Sequence, residues 1–228
     1  MAQRTAPIDV QAVAAEIGAA IRALPVSNSA ARREVRRQYT QRLTDAPAEQ
    51  MIELAHVLRR AHDLRGLGLE LVRYHRAAFA SLGPDEVEAL GEGINSWWSV
   101  DGFARIIAGP AWLRGQVSDE LIQKWARSED LWWRRAALVS TVALNVRSHG
   151  GYGDPPRTLA VCRTLVDDHE DMVVKAMSWA LRELVVHDPD AVWAFLRAYD
   201  DRLGARAKRE VRNKLTTGLK NPRRNARQ

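Results

Sequence analysis

Along most of the chain, apolar positions recur every three to four residues, and the strict alternation of a half-buried strand is nearly absent. That period predicts helices over residues 10–24, 29–43, 47–60, 66–80 and 84–94. It continues over 119–127, 129–146, 157–167, 171–186, 189–199 and 205–217. Start signals stand in front of several of them. Gly83-Pro84-Asp85-Glu86 and Asp188-Pro189-Asp190 put a proline in the first helical turn with acids beside it. Ser118-Asp119-Glu120 and Ser128-Glu129-Asp130 read as N-caps. The conspicuous irregular stretch is 149–156, rich in glycine and proline; it matches no phosphate-binding motif and reads as a connector.

Helices of this length with short connections must bury one face on an antiparallel neighbour. The expected fold is therefore all-α, a superhelical solenoid of degenerate HEAT-like helix pairs with a concave face. No crisp repeat of ~40 residues is visible, so a compact irregular bundle is the alternative. At 228 residues the chain suits one domain, here residues 1–219, followed by a basic tail over 220–228 without regular structure.

Composition removes several classes of function. No stretch approaches the roughly 20 apolar residues of a membrane span. The Ala-rich opening carries Glu16 and Arg22 and lacks a signal-peptide layout, so a cytoplasmic location is expected. Cys162 is the single cysteine, and the six histidines fall in no metal-ligand spacing, so neither a disulfide nor a metal site is expected. The net charge of +6 is uneven: from Gly204 onward nine basic residues face the single Glu210, a local +8 that leaves about −2 for everything else. Such an end suits a polyanion, nucleic acid first, though a solvated tail with no partner carries the same composition.

Three clusters mix tryptophan with charge. In Asn95-Ser96-Trp97-Trp98-Ser99-Val100-Asp101, a helix would place Trp97 and Asp101 on one face; the alternative is a core tryptophan and an aspartate capping a helix from Gly102. In Trp132-Trp133-Arg134-Arg135-Ala136-Ala137, Trp132 and Arg135 share a face and one arginine must turn inward or sideways, to stack, grip phosphate or form an ion pair. In Lys175-Ala176-Met177-Ser178-Trp179-Ala180-Leu181-Arg182-Glu183, Lys175, Trp179 and Arg182 form one stripe, either a nucleic-acid surface or a packed indole with solvated neighbours.

Taken in this order, Trp97-xxx-Asp101, Trp132-xx-Arg135-Ala136-Ala137 and Lys175-Ala176-xx-Trp179-x-Leu181-Arg182-Glu183, closed by Arg209-Glu210-Val211, resemble the AlkD family of DNA alkylation-repair glycosylases. The motif-bearing part runs from about residue 95 to 215. The resemblance implies HEAT-like repeats whose concave face holds double-stranded DNA containing alkylated bases. It makes Asp101 the catalytic carboxylate, Trp97 and Trp179 aromatic walls beside the lesion sugar, and Arg135 a backbone contact. Lys175 and Arg182 would join Arg135 in binding DNA. No cofactor and no membrane partner are implied, and a monomer is expected. Trp98, Arg134 and the enlarged loop at 149–156 depart from the simplest form of the pattern.

The implied reaction is hydrolysis of the N-glycosidic bond of cationic N3- or N7-alkylated purines, without flipping the base from the stack. Bond breaking builds positive charge on the sugar, which a nearby carboxylate stabilises and indole faces flank. Two other classes stay open at this point. One is a non-catalytic scaffold of the same fold that binds damaged or branched DNA. The other is a helical-repeat module for an acidic protein partner.

Overall fold

The computed structural model describes residues 6–26 and 28–222, and the regular structure among them is all helical, with no strand. Residues 223–228 of the expected basic tail lie outside the described residues. None of the described helices is long and apolar enough to cross a membrane. The chain divides into two compact units, Met1–Glu92 and Gly93–Gln228.

The first unit holds α1 (Val10–Arg22), α2 (Ser29–Arg42), α3 (Ala48–His62), α4 (Arg65–Tyr74), α5 (Arg76–Ala80) and α6 (Pro84–Gly91). Its centre is α3, packed between α1 and α4, with α2 laid on α4. Ala14, Ile17, Leu54, Leu58, Leu71 and Val72 form that core. A side chain of this size contributes about 1.5–3 kcal/mol when fully buried. The single helix expected over 66–80 is instead two. His75 leaves the helical region (φ −87°, ψ 108°), and its Nδ1 accepts from the Ala78 N–H at 3.0 Å, so a histidine caps α5. The C-terminal end of α6 is closed by two arginines: Arg59 and Arg65 donate to the Glu92 carbonyl at 2.8 and 2.7 Å, satisfying an acceptor the helix leaves open.

The second unit begins with a continuous helical run: α7 (Trp97–Phe103), a π turn (Ala104–Ala108) and α8 (Gly109–Leu113). Pro110 explains the wide turn. Its ring has no N–H to donate and would strike the carbonyl four residues back, so the ladder loosens and Gly109 N–H bonds to the Ala104 carbonyl, five residues earlier. Then come α9 (Asp119–Ala126), α10 (Leu131–Asn145), α11 (Pro155–Thr164), α12 (Asp171–Leu184), α13 (Pro189–Ala198) and α14 (Ala205–Thr217). Caps hold several starts: Ser118 on α9, Asp130 on α10, Asp154 on α11 and Asp188 on α13 each accept a first-turn N–H.

These helices stack as pairs, α9 with α10, α11 with α12 and α13 with α14. The run α7–α8, α10, α12 and α14 makes one layer, each member packed on the next. Its members point the same way. Asp101 meets Arg135 while Gly109 lies against Ser140 further along both helices. Asp171 likewise meets Arg206, and Ser178 meets Glu210. The intervening α9, α11 and α13 bring the chain back. The loop at 149–156 is a tightly seated connector: Asn145 accepts from Asp154 N–H at 3.0 Å and donates to Thr158 Oγ1 at 2.9 Å. Gly151 sits so close to α10 that a Cβ there would lie 2.3 Å from the Ala143 carbonyl oxygen.

Candidate active site

Ser96, in an extended conformation, ends the approach to α7, and its Oγ accepts from Ser99 N–H at 3.3 Å. Ser99 Oγ accepts in return from the N–H groups of Asn95 and Ser96, at 3.1 and 3.2 Å. Trp97 thus occupies the first helical position and Asp101 follows one turn later on the same face. Asp101 lies within a helical run that continues through the π turn, so it caps nothing; the serine is the cap. Trp97 is 52% exposed and Trp98 is 73% exposed, their rings meeting edge to face with centroids 5.8 Å apart. Beneath α7, Phe103, Trp125 and Trp133 form a tilted aromatic cluster with centroids 4.9–5.9 Å apart. That cluster holds the helix against α10.

Consecutive residues on a helix splay apart, and Arg134 and Arg135 do so. Arg134 donates to Asp168 at 2.7 Å and to the Ser128 and Glu129 carbonyls. Arg135 turns inward and meets Asp101 with a bidentate fork, Nε to Oδ1 and Nη2 to Oδ2, each at 2.9 Å. Its Nη1 donates to the Met172 carbonyl at 2.5 Å. The Arg135 side chain is only 6% exposed, whereas that of Asp101 is 19% exposed. The fork fills one side of the carboxylate. Each oxygen keeps lone-pair capacity for a second donor.

Trp179, half-buried on α12, donates from Nε1 to Glu183 at 2.9 Å, which sets the orientation of its ring. The guanidinium carbon of Arg105, from the π turn, lies 5.5 Å from the centre of that ring. α10 packs against both α7 and α12, and Arg105 and Trp179 meet across it. Lys175 is exposed and binds Asp171 at 2.7 Å, and Asp171 also binds Arg206 at 2.8 Å. The hydrogen bond from Lys175 holds the Asp171 carboxyl below the usual range, with Arg206 and Arg135 adding to the pull. Arg182 points elsewhere. Its Nε donates to Ser178 Oγ at 3.2 Å, and that hydroxyl donates to the buried Glu210 of α14 at 2.6 Å. Burial pushes the Arg182 guanidinium below its ordinary value, while Glu210 and Glu183 oppose the shift.

The tertiary structure therefore gathers Trp97, Asp101 and Arg135 into one constellation, with Trp179 nearby across α10. Lys175 stands on the exposed part of α12, and Arg182 belongs to the α12–α14 joint. Arg105 and Glu183 are additions. Arg105 lies four residues beyond Asp101, the spacing that already tied Trp97 to Asp101, and Glu183 lies four beyond Trp179. The basic C-terminal stretch is partly neutralised: Lys208 and Arg212 converge on Asp200, Arg206 on Asp171, and Lys220 approaches Glu210 at 3.4 Å. Among the described residues, no group of three or more histidine, cysteine or acidic side chains is placed to hold a metal ion. Cys162 is buried, which pushes its thiol far up from its ordinary value.

Compared with curated proteins, the chain finds no match. Compared with models of protein families, residues 22–215 match the one described as DNA alkylation repair enzyme, a span that runs through both units and includes every residue of the constellation. With most of its length matched, the chain belongs to the family of DNA alkylation repair enzymes.

Proposed function

We propose that the protein is a DNA glycosylase that hydrolyses the N-glycosidic bond of cationic N3- or N7-alkylated purines in duplex DNA, leaving the base in the stack. The observation that carries this reading is the Asp101 carboxylate, fixed by the Arg135 fork yet partly open to solvent, on the helical face of an exposed tryptophan. An acid serving only to pair with Arg135 has no need of that outlook.

Alkylation at N3 or N7 makes the base a cation and a good leaving group. As the bond from C1′ to the base nitrogen breaks, its electron pair leaves with the base, which becomes neutral, and the positive charge passes to the sugar. Asp101 stabilises that charge at short range, without reorganising, because Arg135 has already fixed it. A water bound to the free side of the carboxylate adds through oxygen to C1′ and releases its proton, completing the hydrolysis. Trp97 and Trp179 present π-faces to the developing cation and limit the access of other water. No step in this scheme requires a metal or an organic cofactor. Arg135 acts here through Asp101 as a positioning residue. Lys175, whose salt bridge is exposed, is free to exchange Asp171 for a phosphate.

Incubation with methylated duplex DNA, followed by mass spectrometry of the released bases, tests the reading. Release of 3-methyladenine or 7-methylguanine is the expected result; intact DNA after prolonged incubation at saturating protein would sink it. The second reading, a non-catalytic scaffold for damaged or branched DNA, draws on the same ion pair. Arg135 cancels the charge of Asp101 and so removes the repulsion an isolated acid would exert on phosphates. Tight, salt-sensitive binding without base release is its signature.

A further inference from the structure

Arg105 is the cation of this region that the scheme leaves unused. It is exposed, it stands on the π turn one turn beyond Asp101, and among the described residues it has no carboxylate partner. What it has is the face of Trp179, with the guanidinium carbon 5.5 Å from the ring centre. Trp179 cannot easily turn away, since Glu183 holds its indole N–H. Resting on the reading of this site as a glycosylase, we infer that Arg105 is a positioning residue that the free protein parks on Trp179 and that duplex DNA draws off onto a phosphate beside the lesion, uncovering the indole.

Two cations compete for one π-face. An indole face that stabilises a developing sugar cation cannot be covered by a guanidinium at the same moment. The two cations would also repel each other where the reaction can least bear it. An exposed cation–π contact is a weak hold, whereas a phosphate offers a guanidinium two charge-assisted hydrogen bonds. DNA therefore supplies the anion that releases the wall. Once transferred, Arg105 pins the backbone one turn from Asp101, which helps to set the sugar against the carboxylate. Arg105 becomes a switch: covering when no DNA is bound, positioning when it is. The π turn suits this task, because wide turns of this kind inside α-helices recur at functional sites.

The test compares wild type, Arg105→Met, Arg105→Lys and the control Arg197→Met, an exposed arginine of α13. Two quantities are read: the salt dependence of affinity for undamaged duplex, and the maximal single-turnover rate of base release from methylated duplex. Arg105→Met is expected to flatten the log–log salt slope by about 0.9, the loss of one phosphate contact. It is also expected to lower the maximal rate about tenfold. Arg105→Lys should restore the slope and only part of the rate, since an ammonium cannot grip the phosphate bidentately. Arg197→Met should match wild type in both, with unchanged Tm for all three variants. A wild-type slope in Arg105→Met overturns the inference whatever the rate does. A flattened slope with an undiminished maximal rate also overturns it, because Arg105 would then bind without positioning. If wild-type protein releases no base at all, the glycosylase reading fails, and the slope alone still decides whether Arg105 reaches phosphate.

Discussion

Both carboxylate oxygens of Asp101 accept hydrogen bonds from Arg135, Oδ1 from Nε and Oδ2 from Nη2, each at 2.9 Å. A planar fork of this kind fixes the tilt of the carboxylate as well as its position, which a single contact would not do. The third nitrogen of the guanidinium ties the Met172 carbonyl, so the acid on α7 is referenced through α10 to the start of α12. Three helices thus share responsibility for where one charge sits. The consequences can be measured residue by residue.

Asp101→Asn keeps the size of the side chain and one acceptor while removing the charge. Single-turnover base release should fall about a hundredfold or more, the scale of losing one preorganised electrostatic contact. Affinity for undamaged duplex should stay equal or rise slightly. Because Arg135 is nearly buried and loses its counter-ion, unfolding stability should fall by about 1–3 kcal/mol, measured in urea. Normal excision by this variant would remove the carboxylate from the mechanism.

Arg135→Met separates positioning from DNA contact. Breaking the pair from the buried side should cost about 3 kcal/mol of stability, near the lower end for such pairs because Asp101 can rehydrate. Base release should drop while the salt slope of DNA affinity stays at the wild-type value, since every nitrogen of the guanidinium already has a protein acceptor. A slope flatter by about one contact would show instead that Arg135 reaches phosphate in the complex.

Two glycines seven residues from one another should respond in opposite directions. A Cβ at Gly109 would lie 2.6 Å from the Ser140 carbonyl oxygen and 2.8 Å from the Ala143 methyl, so Gly109→Ala must push α8 away from α10. A loss of about 1–3 kcal/mol is expected. At Gly102, inside α7, a Cβ meets nothing within 4 Å, and Gly102→Ala should stabilise by about 0.5–1 kcal/mol. Urea unfolding of the two variants beside wild type checks both signs.

Stability should also decline as pH falls through the histidine range. Burial, with Arg59, Arg60 and Arg65 close by, pushes His56 below its ordinary value of 6.5, opposed only by Glu92. The folded chain then holds this proton less readily than the unfolded chain, so the penalty is absent above 6.5 and grows as pH drops below it. The carboxyls of Glu16, Glu92, Asp167 and Asp171, held low by their cationic partners, act further down: their stabilisation is present above the ordinary carboxylate range and lost as pH falls below it. Urea midpoints between pH 8 and 5.5 should fall in wild type and flatten in His56→Leu. An unchanged slope would mean that His56 is not the titrating group.

The order and the limits of most helices were written locally. Apolar period, proline in first turns and caps such as Ser118, Asp154 and Asp188 act within four residues, so a single sequence carries them. The split of the single helix expected over 66–80 was missed for a reason just as local: the His75 ring accepts from the Ala78 N–H and starts a new helix. The face shared by Trp97 and Asp101 was equally local, being one helical turn. What the sequence could not express was the direction of each long side chain. Arg134 and Arg135 are alike in composition, and only the stacking of α10 between α7 and α12 sent one to Asp168 and the other to Asp101, 34 residues away in each case. The stripe of Lys175, Trp179 and Arg182 was split in the same way, because the packing of α12 on α14 brings Glu210 to the Ser178 hydroxyl that accepts from Arg182 Nε. Arg105 met Trp179 for the same reason. Helical spacing decides which residues are neighbours on one helix; which residue answers them from another helix is decided by rotation and stacking, through contacts that no local pattern encodes.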